Sequence, residues 1–246
     1  MRTNLLILTV AAYSVLPVGA QDVDWLRSYD FSNWGPLLAP DSAGNVYGTS
    51  VFAGTVDLDG HVIEGSMDVF VAKWNDAGVV QWARSFGDGL PAPIADNDQP
   101  LAIAFDPVLN EVVVVGFYNT QLEFDHDTLL APIDPDHTRL FVARFTATGE
   151  CRWARYATGA GDRVVQISID ADSDVHLVGT MGGTFQGDPD ITIPFGGYHA
   201  VYSANGDLLS AERIIEGGYV RGIAQLPNGR YVITVRTSED TELFGT

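Results

Sequence analysis

The sequence predicts an all-β chain, a β-propeller built of four-stranded antiparallel blades, on three observations. Residues 68–84 recur without a gap as residues 139–155. Short apolar runs joined by Asp, Asn and Gly turns fill the chain between those copies, as in stacked hairpins. Amphipathic spacing of the helical kind is nearly absent.

The chain opens with a secretory pattern. Arg2 supplies a positive start, residues 5–18 are mostly apolar, and Val18, Gly19 and Ala20 make a small-residue cleavage site. Residues 1–20 are read as a signal peptide and residues 21–246 as the repeat domain, secreted or held at the cell surface. The apolar stretch is short for a bilayer span and is interrupted by Pro17, and no later run approaches that length, so no membrane span is expected after cleavage.

The repeat carries most of the information. A weaker third copy of the first segment occupies residues 198–212, and a half copy opens the domain at Asp24, Trp25 and Arg27. Equivalent positions Trp25, Trp82, Trp153 and Ser210 are separated by 57, 71 and 57 residues, by subtraction. A second segment lies between these copies, at residues 37–50, 102–116, 167–180 and 223–234.

Each unit parses into four strands. The first is a short apolar run such as residues 101–105, and an Asp/Asn/Gly turn leads to a second such as residues 111–117. Val112, Val113, Val114 and Val115 lack polar alternation, which predicts burial on both faces. A variable connection precedes the third strand (68–74, 140–145). A turn with Gly78 or Gly149 leads to the fourth, near 80–86 or 152–156. A short strand at 25–29 is expected to belong to a terminal unit.

Thin four-stranded units cannot cover both faces alone, so they stack, and radial stacking gives a propeller. The recurring Trp is expected to fill the gap between neighbouring blades. About three and a half blades are present, fewer than the four to eight of a closed ring. The repeat domain is therefore expected to be incomplete, with further blades beyond residue 246; a small four-bladed closure is the alternative.

These residues resemble the bacterial SBBP family of β-propeller repeats. The family's first element is matched by Phe70, Val71, Ala72, Lys73, Gly78 and Trp82. Its second is distributed among Gly44, Asn45, Val46 and Tyr47, then Phe52, Gly54 and Thr55, then Ile103, Ala104 and Asp106, then Gly179 and Thr180. The resemblance covers nearly all of the domain and implies extracellular repeats without an assigned activity. The third copy departs most, with Ser210 in place of Trp, which predicts looser packing there. The unit is less similar to quinoprotein and outer-membrane assembly propellers, where a Gly-x-x-x-Trp turn docks adjacent blades, because blades there are usually shorter.

Composition limits the partners. Hydrophobic residues are 46% and charged residues 18%, as in a folded globular chain. Asp and Glu number 32 against 13 Lys and Arg, a formal charge of −19 that repels phosphate backbones, so no nucleic-acid partner is expected. An unknown protein or glycan ligand is. Cys151 is the only cysteine, so no internal disulfide forms, and a buried, inert thiol is expected within its strand.

The sharpest chemical pattern is Asp170, Asp172 and Asp174, alternating carboxylates that could converge on Ca²⁺. The repeat places them at the same turn as residues 41–45 and 106–110, where turn formation explains the Asp and Asn. Calcium is the one cofactor candidate; otherwise none is expected. Acidic groups around Asp96, Asp125 and Asp134 fall in connections. The five His show no zinc-ligand spacing, and no nucleophile elbow, phosphate loop or dinucleotide fingerprint occurs. The expected function is a non-catalytic binding or cell-surface scaffold module. The alternative is a secreted hydrolase or lyase, with loop carboxylates meeting at the central channel.

Overall fold

A computed structural model describes residues 25–29, 35–87, 98–118, 121–125, 128–130, 139–226 and 228–236. The signal peptide, the acidic groups near Asp134 and the last ten residues lie outside them.

The described chain is all-β and antiparallel. Strands β1 (Leu37–Pro40), β2 (Val46–Leu58), β3 (His61–Trp74) and β4 (Val80–Phe86) form one sheet in chain order. The next unit comprises β5 (Gln99–Asp106) and β6 (Glu111–Tyr118), a small hairpin of β7 (Leu122–Asp125) and β8 (Thr128–Leu130), then β9 (Arg139–Phe145) and β10 (Cys151–Ile169). The third adds β11 (Val175–Phe185), β12 (Ile191–Tyr202) and β13 (Leu208–Ile215), and β14 (Tyr219–Gln225) pairs with β15 (Tyr231–Arg236).

β10 belongs to two modules. Its first part pairs with β9 through Thr158, and its second pairs with β11 from Ala157 to Ile169, with register shifts between Ala160 and Arg163 and between Val164 and Gln166. It is thus the fourth strand of one module and the first of the next. The fusion yields a seven-stranded sheet of order β13-β12-β11-β10-β9-β6-β5.

The reason for the strands is the burial of consecutive residues on both faces. Val112, Val113, Val114 and Val115 are fully buried, as the absence of alternation predicts, and so are Val69, Phe70, Val71 and Ala72 of β3. Strand ends are set by a recurring turn. At Asp41, Asn75 and Asp170 a side-chain oxygen accepts the N–H groups two and four residues on, and Ser203 Oγ does the same.

The hairpins between second and third strands curl over the sheet face. Val56, Leu58 and Ile63 at the end of the β2–β3 hairpin share a cluster with Phe70, Trp74 and Val80, and with Trp25 and Tyr29 from before β1. Phe185 and Ile193 of the β11–β12 hairpin likewise join Tyr198 and Tyr202 with Trp153 of the preceding module. In the middle module Phe124 packs on Phe86 of β4 with ring centroids 5.1 Å apart and on Phe145 at 5.9 Å. Backbone contacts cross the same seams: Gly87 bridges Glu123, and the Gln186 N–H donates to the Tyr156 carbonyl.

Each seam also carries a Trp. A Cβ built on Gly78 would meet Trp25 at 2.6 Å, one on Gly149 would meet Trp82 at 2.8 Å, and one on Gly206 would meet Trp153 at 2.7 Å. Only glycine fits under the indole, and each of these glycines also has positive φ. Trp82 and Trp153 donate Nε1–H to the carbonyls of Ala147 and Ala204, both at 2.9 Å.

Several expectations are corrected. Residues 25–29 form no strand; Trp25 reaches the seam from an irregular segment anchored by Arg27, whose Nε–H donates to the Gly78 carbonyl at 3.0 Å. β3 begins at His61 rather than 68 because the hairpin extends, and β10 runs past 156 to serve two modules. Cys151 is half-buried at the start of β10 rather than enclosed. Ser210 is exposed where Trp82 and Trp153 are buried, which agrees with a looser third copy.

Candidate functional site

The three predicted calcium carboxylates do not form a ligand set. Asp170 Oδ1 accepts the backbone N–H groups of Asp172 and Asp174, both at 2.9 Å, so it closes its own turn. Asp172 is exposed, and Asp174 turns to the next loop, where Oδ1 accepts the Ala204 N–H at 3.2 Å. Among the described residues no group of three or more His, Cys, Asp or Glu side chains is placed to hold a metal ion. The turn geometry that explains Asp41 also explains Asp170. Ser173 stands where most of these turns have glycine and takes the left-handed conformation, φ 65°.

Asp170 instead anchors a histidine pair. Its Oδ2 lies 3.2 Å from His176 Nε2, and His176 Nδ1 lies 3.0 Å from His199 Nε2. With the carboxylate accepting from Nε2–H, His176 Nδ1 accepts from the Nε2–H of His199; this tautomer follows from the hydrogen-bond pattern. The Tyr231 ring from β15 stacks on His176 with centroids 4.1 Å apart, which ties the third module to β14–β15.

Burial, reinforced by the neighbouring His176, lowers the His199 pKa to about 4, so the ring is neutral at physiological pH. Burial and then Asp170 raise that of Asp174. Burial, with Asp170 and Asp174 adding to it, pushes the Tyr231 hydroxyl up to about 12. The arrangement is a short relay, carboxylate to imidazole to imidazole.

Spacing along the chain hid this pair. His176 and His199 are 23 residues apart but lie on the paired strands β11 and β12, one step off direct opposition: His176 faces Val201, and Val178 faces His199. In the repeat they take positions held by Tyr47 and Val71 in the first module and by Val113 and Val142 in the second. Two imidazoles at core positions of one copy were a signal that the alignment contained.

A second polar group is fully internal. Arg144 has no exposed side-chain surface; its Nη1 donates to Asp106 Oδ2 at 2.6 Å and Glu111 Oε2 at 3.4 Å, and its Nη2 donates to the Ser173 carbonyl at 2.6 Å. Arg152 bonds the other Glu111 oxygen at 2.6 Å. Burial pushes the Asp106 carboxyl up, but Arg144 and the turn N–H groups of Leu109 and Val108 outweigh it and hold the pKa below the ordinary value. Because Ser173 is in the next module's turn, this buried cation links two modules.

Comparison with protein-family models gives no match, and no curated protein matches the chain.

Proposed function

We propose that the protein is an exported, non-catalytic binding or surface-scaffold module built as a segment of a β-propeller of the SBBP type. The observation that carries this reading is the repeated seam: Trp82 on Gly149 and Trp153 on Gly206 each join one four-stranded module to the next, and Trp25, from the irregular segment before β1, packs on Gly78 of the first module in the same way. Equivalent seams repeated at one step give a regular stack, which is what radial blade packing requires. Such a stack is a rigid frame for variable loops, the usual place for recognition.

The hydrolase or lyase alternative has less support. In a radial stack the first strands of the blades line the channel. β1, β5, the second half of β10 and β14 carry two carboxylates among them, Asp106 and Asp162, and Asp106 is bound to Arg144, which leaves no free pair. Paired acids for glycosidic chemistry would have to come from elsewhere.

The test is expression of the full chain in an export-competent bacterium. Surface labelling of intact cells with a mature N-terminus at Gln21, and no turnover of polysaccharide or ester substrates by the purified protein, is the expected result. Cytoplasmic retention with residues 1–20 intact, or measurable turnover, would overturn it.

A further inference from the structure

One cleft runs against the charge of the molecule. It opens at the seam between the first two modules, with a volume of about 550 Å³. His61, Lys73 and Arg84 contribute its cationic and ionisable groups, and Asn45, Gln81 and Thr148 its neutral polar ones. Among the described residues no carboxylate lines it, in a chain with 32 acidic residues.

The cations there are unneutralised for a reason the repeat makes visible. Lys73 occupies the position that Arg144 holds in the second module. Arg144 is neutralised by Asp106 and Glu111 at the ends of β5 and β6. The corresponding first-module positions hold Asp41 and Asn45. Asn45 removes one carboxylate, and Asp41 is occupied: it accepts the N–H groups of Ala43 and Asn45 at 2.9 Å and the Asn45 side-chain amide at 2.6 Å. Neither Lys73 nor Arg84 has an ion pair among the described residues.

The strands hold Lys73 in place. It stands directly opposite Tyr47 on β2 and Trp82 on β4, and its ammonium lies 4.8 Å from the Tyr47 ring centroid. The Trp82 indole is fixed by Gly149 and Ala147, so one wall of the cleft is the seam itself. Arg84 is exposed two residues along β4.

We propose that this cleft binds an acidic glycan, a chain of sugars carrying carboxylate or sulfate groups. Arg84 offers a planar fork to a carboxylate or sulfate and Lys73 a point charge. The amides and the Thr148 hydroxyl suit sugar hydroxyls, which donate and accept. The volume lies within the range of small-ligand sites. The net charge of −19 repels long polyanions, so the cleft favours short, locally charged segments. The proposal rests on the binding-module reading and names its ligand class.

The test is calorimetric titration of the mature chain at low salt with oligogalacturonate, a sulfated heparin oligosaccharide and a neutral cello-oligosaccharide. Binding of one or both acidic sugars, roughly tenfold or more tighter than the neutral one and weakened by added salt, is expected; which acidic sugar binds identifies the charged group. Lys73→Gln with Arg84→Gln should lower affinity about tenfold or more with an unchanged melting curve. Asn45→Glu, which restores the second module's carboxylate, should do the same. No binding of either acidic sugar, equal binding of neutral and acidic sugars, or parent affinity in both variants would overturn the proposal and leave the scaffold reading intact. Shortened sugars accumulating during titration would overturn the non-catalytic reading and leave the cleft standing.

Discussion

The indole of Trp82 lies flat enough on Gly149 that a methyl group there would sit 2.8 Å from the ring, while Nε1–H bonds the Ala147 carbonyl at 2.9 Å. One residue from the first module is thereby locked to two in the turn of the second. The glycine serves two demands at once, a φ of +86° and close approach.

Comparison of two glycines separates those demands. Gly229 has φ +78° with open space around its Cα, so Gly229→Ala should cost only the backbone term, about 1–2 kcal/mol. Gly149→Ala adds displacement of Trp82 and should cost about 1–3 kcal/mol more. Chemical denaturation of both variants checks this; equal costs would remove the packing role of the Trp.

The Trp82 hydrogen bond is separable from its ring. Trp82→Phe keeps an aromatic on Gly149 but loses the bond to Ala147, and should cost about 1–2 kcal/mol. Trp82→Ala should cost about 3–5 kcal/mol. Denaturation midpoints at constant slope distinguish them.

Arg144 is expected to be costly to remove alone and cheap to remove with its partners. Arg144→Met leaves Asp106 and Glu111 facing an apolar interior and should destabilise by about 3–5 kcal/mol. Arg144→Met combined with Asp106→Leu and Glu111→Gln should recover a large part of that loss. A mutant cycle over these positions measures the coupling.

Acid should weaken the fold in two windows. The His199 pKa is about 4 in the folded chain against 6.5 for the free side chain, so its contribution is complete above pH 6.5 and is lost as pH falls towards 4. The loss is at most about 3 kcal/mol before solvent around the ring reduces it. The groups facing the ring pair are Asp170, Asp174 and Tyr231. Asp106 has a lowered pKa, so its contribution holds above 3.8 and is lost below that value. Melting temperature across pH 3–7 should fall in both windows, and His199→Val, the residue of Val71 and Val142, should flatten the upper one.

Much of the fold was legible because its signals are local. The bounds of β4 follow from residues 80–86 as read, and the four adjacent valines of β6 announced burial on both faces. The repeated Trp announced the seams, but the Gly beneath each lies in the turn of the following repeat, 53 residues after Trp25, 67 after Trp82 and 53 after Trp153, so their pairing was not visible in local spacing. The reach of β10 was not legible, because whether a strand ends or continues into its neighbour depends on pairing across the sheet. The His176–His199 contact was hidden for the same reason: cross-strand neighbours have no fixed spacing in sequence. Asp170 was singled out as a cation ligand, whereas in the fold its Oδ1 accepts from its own turn and its Oδ2 lies against His176.

A strand shared between two repeat units alters how the array comes apart. Elsewhere, among the described residues, neighbours are joined by side-chain seams and an isolated backbone bridge between Gly87 and Glu123, and these can let go while both sheets survive. Across β10 the second unit cannot shed its outer strand without stripping the third of its inner one, because a single run of backbone, Cys151–Ile169, holds both ladders. Under a pulling force these two should rupture as one event, and the break should begin nearer the junction between β4 and β5, where no strand is held in common.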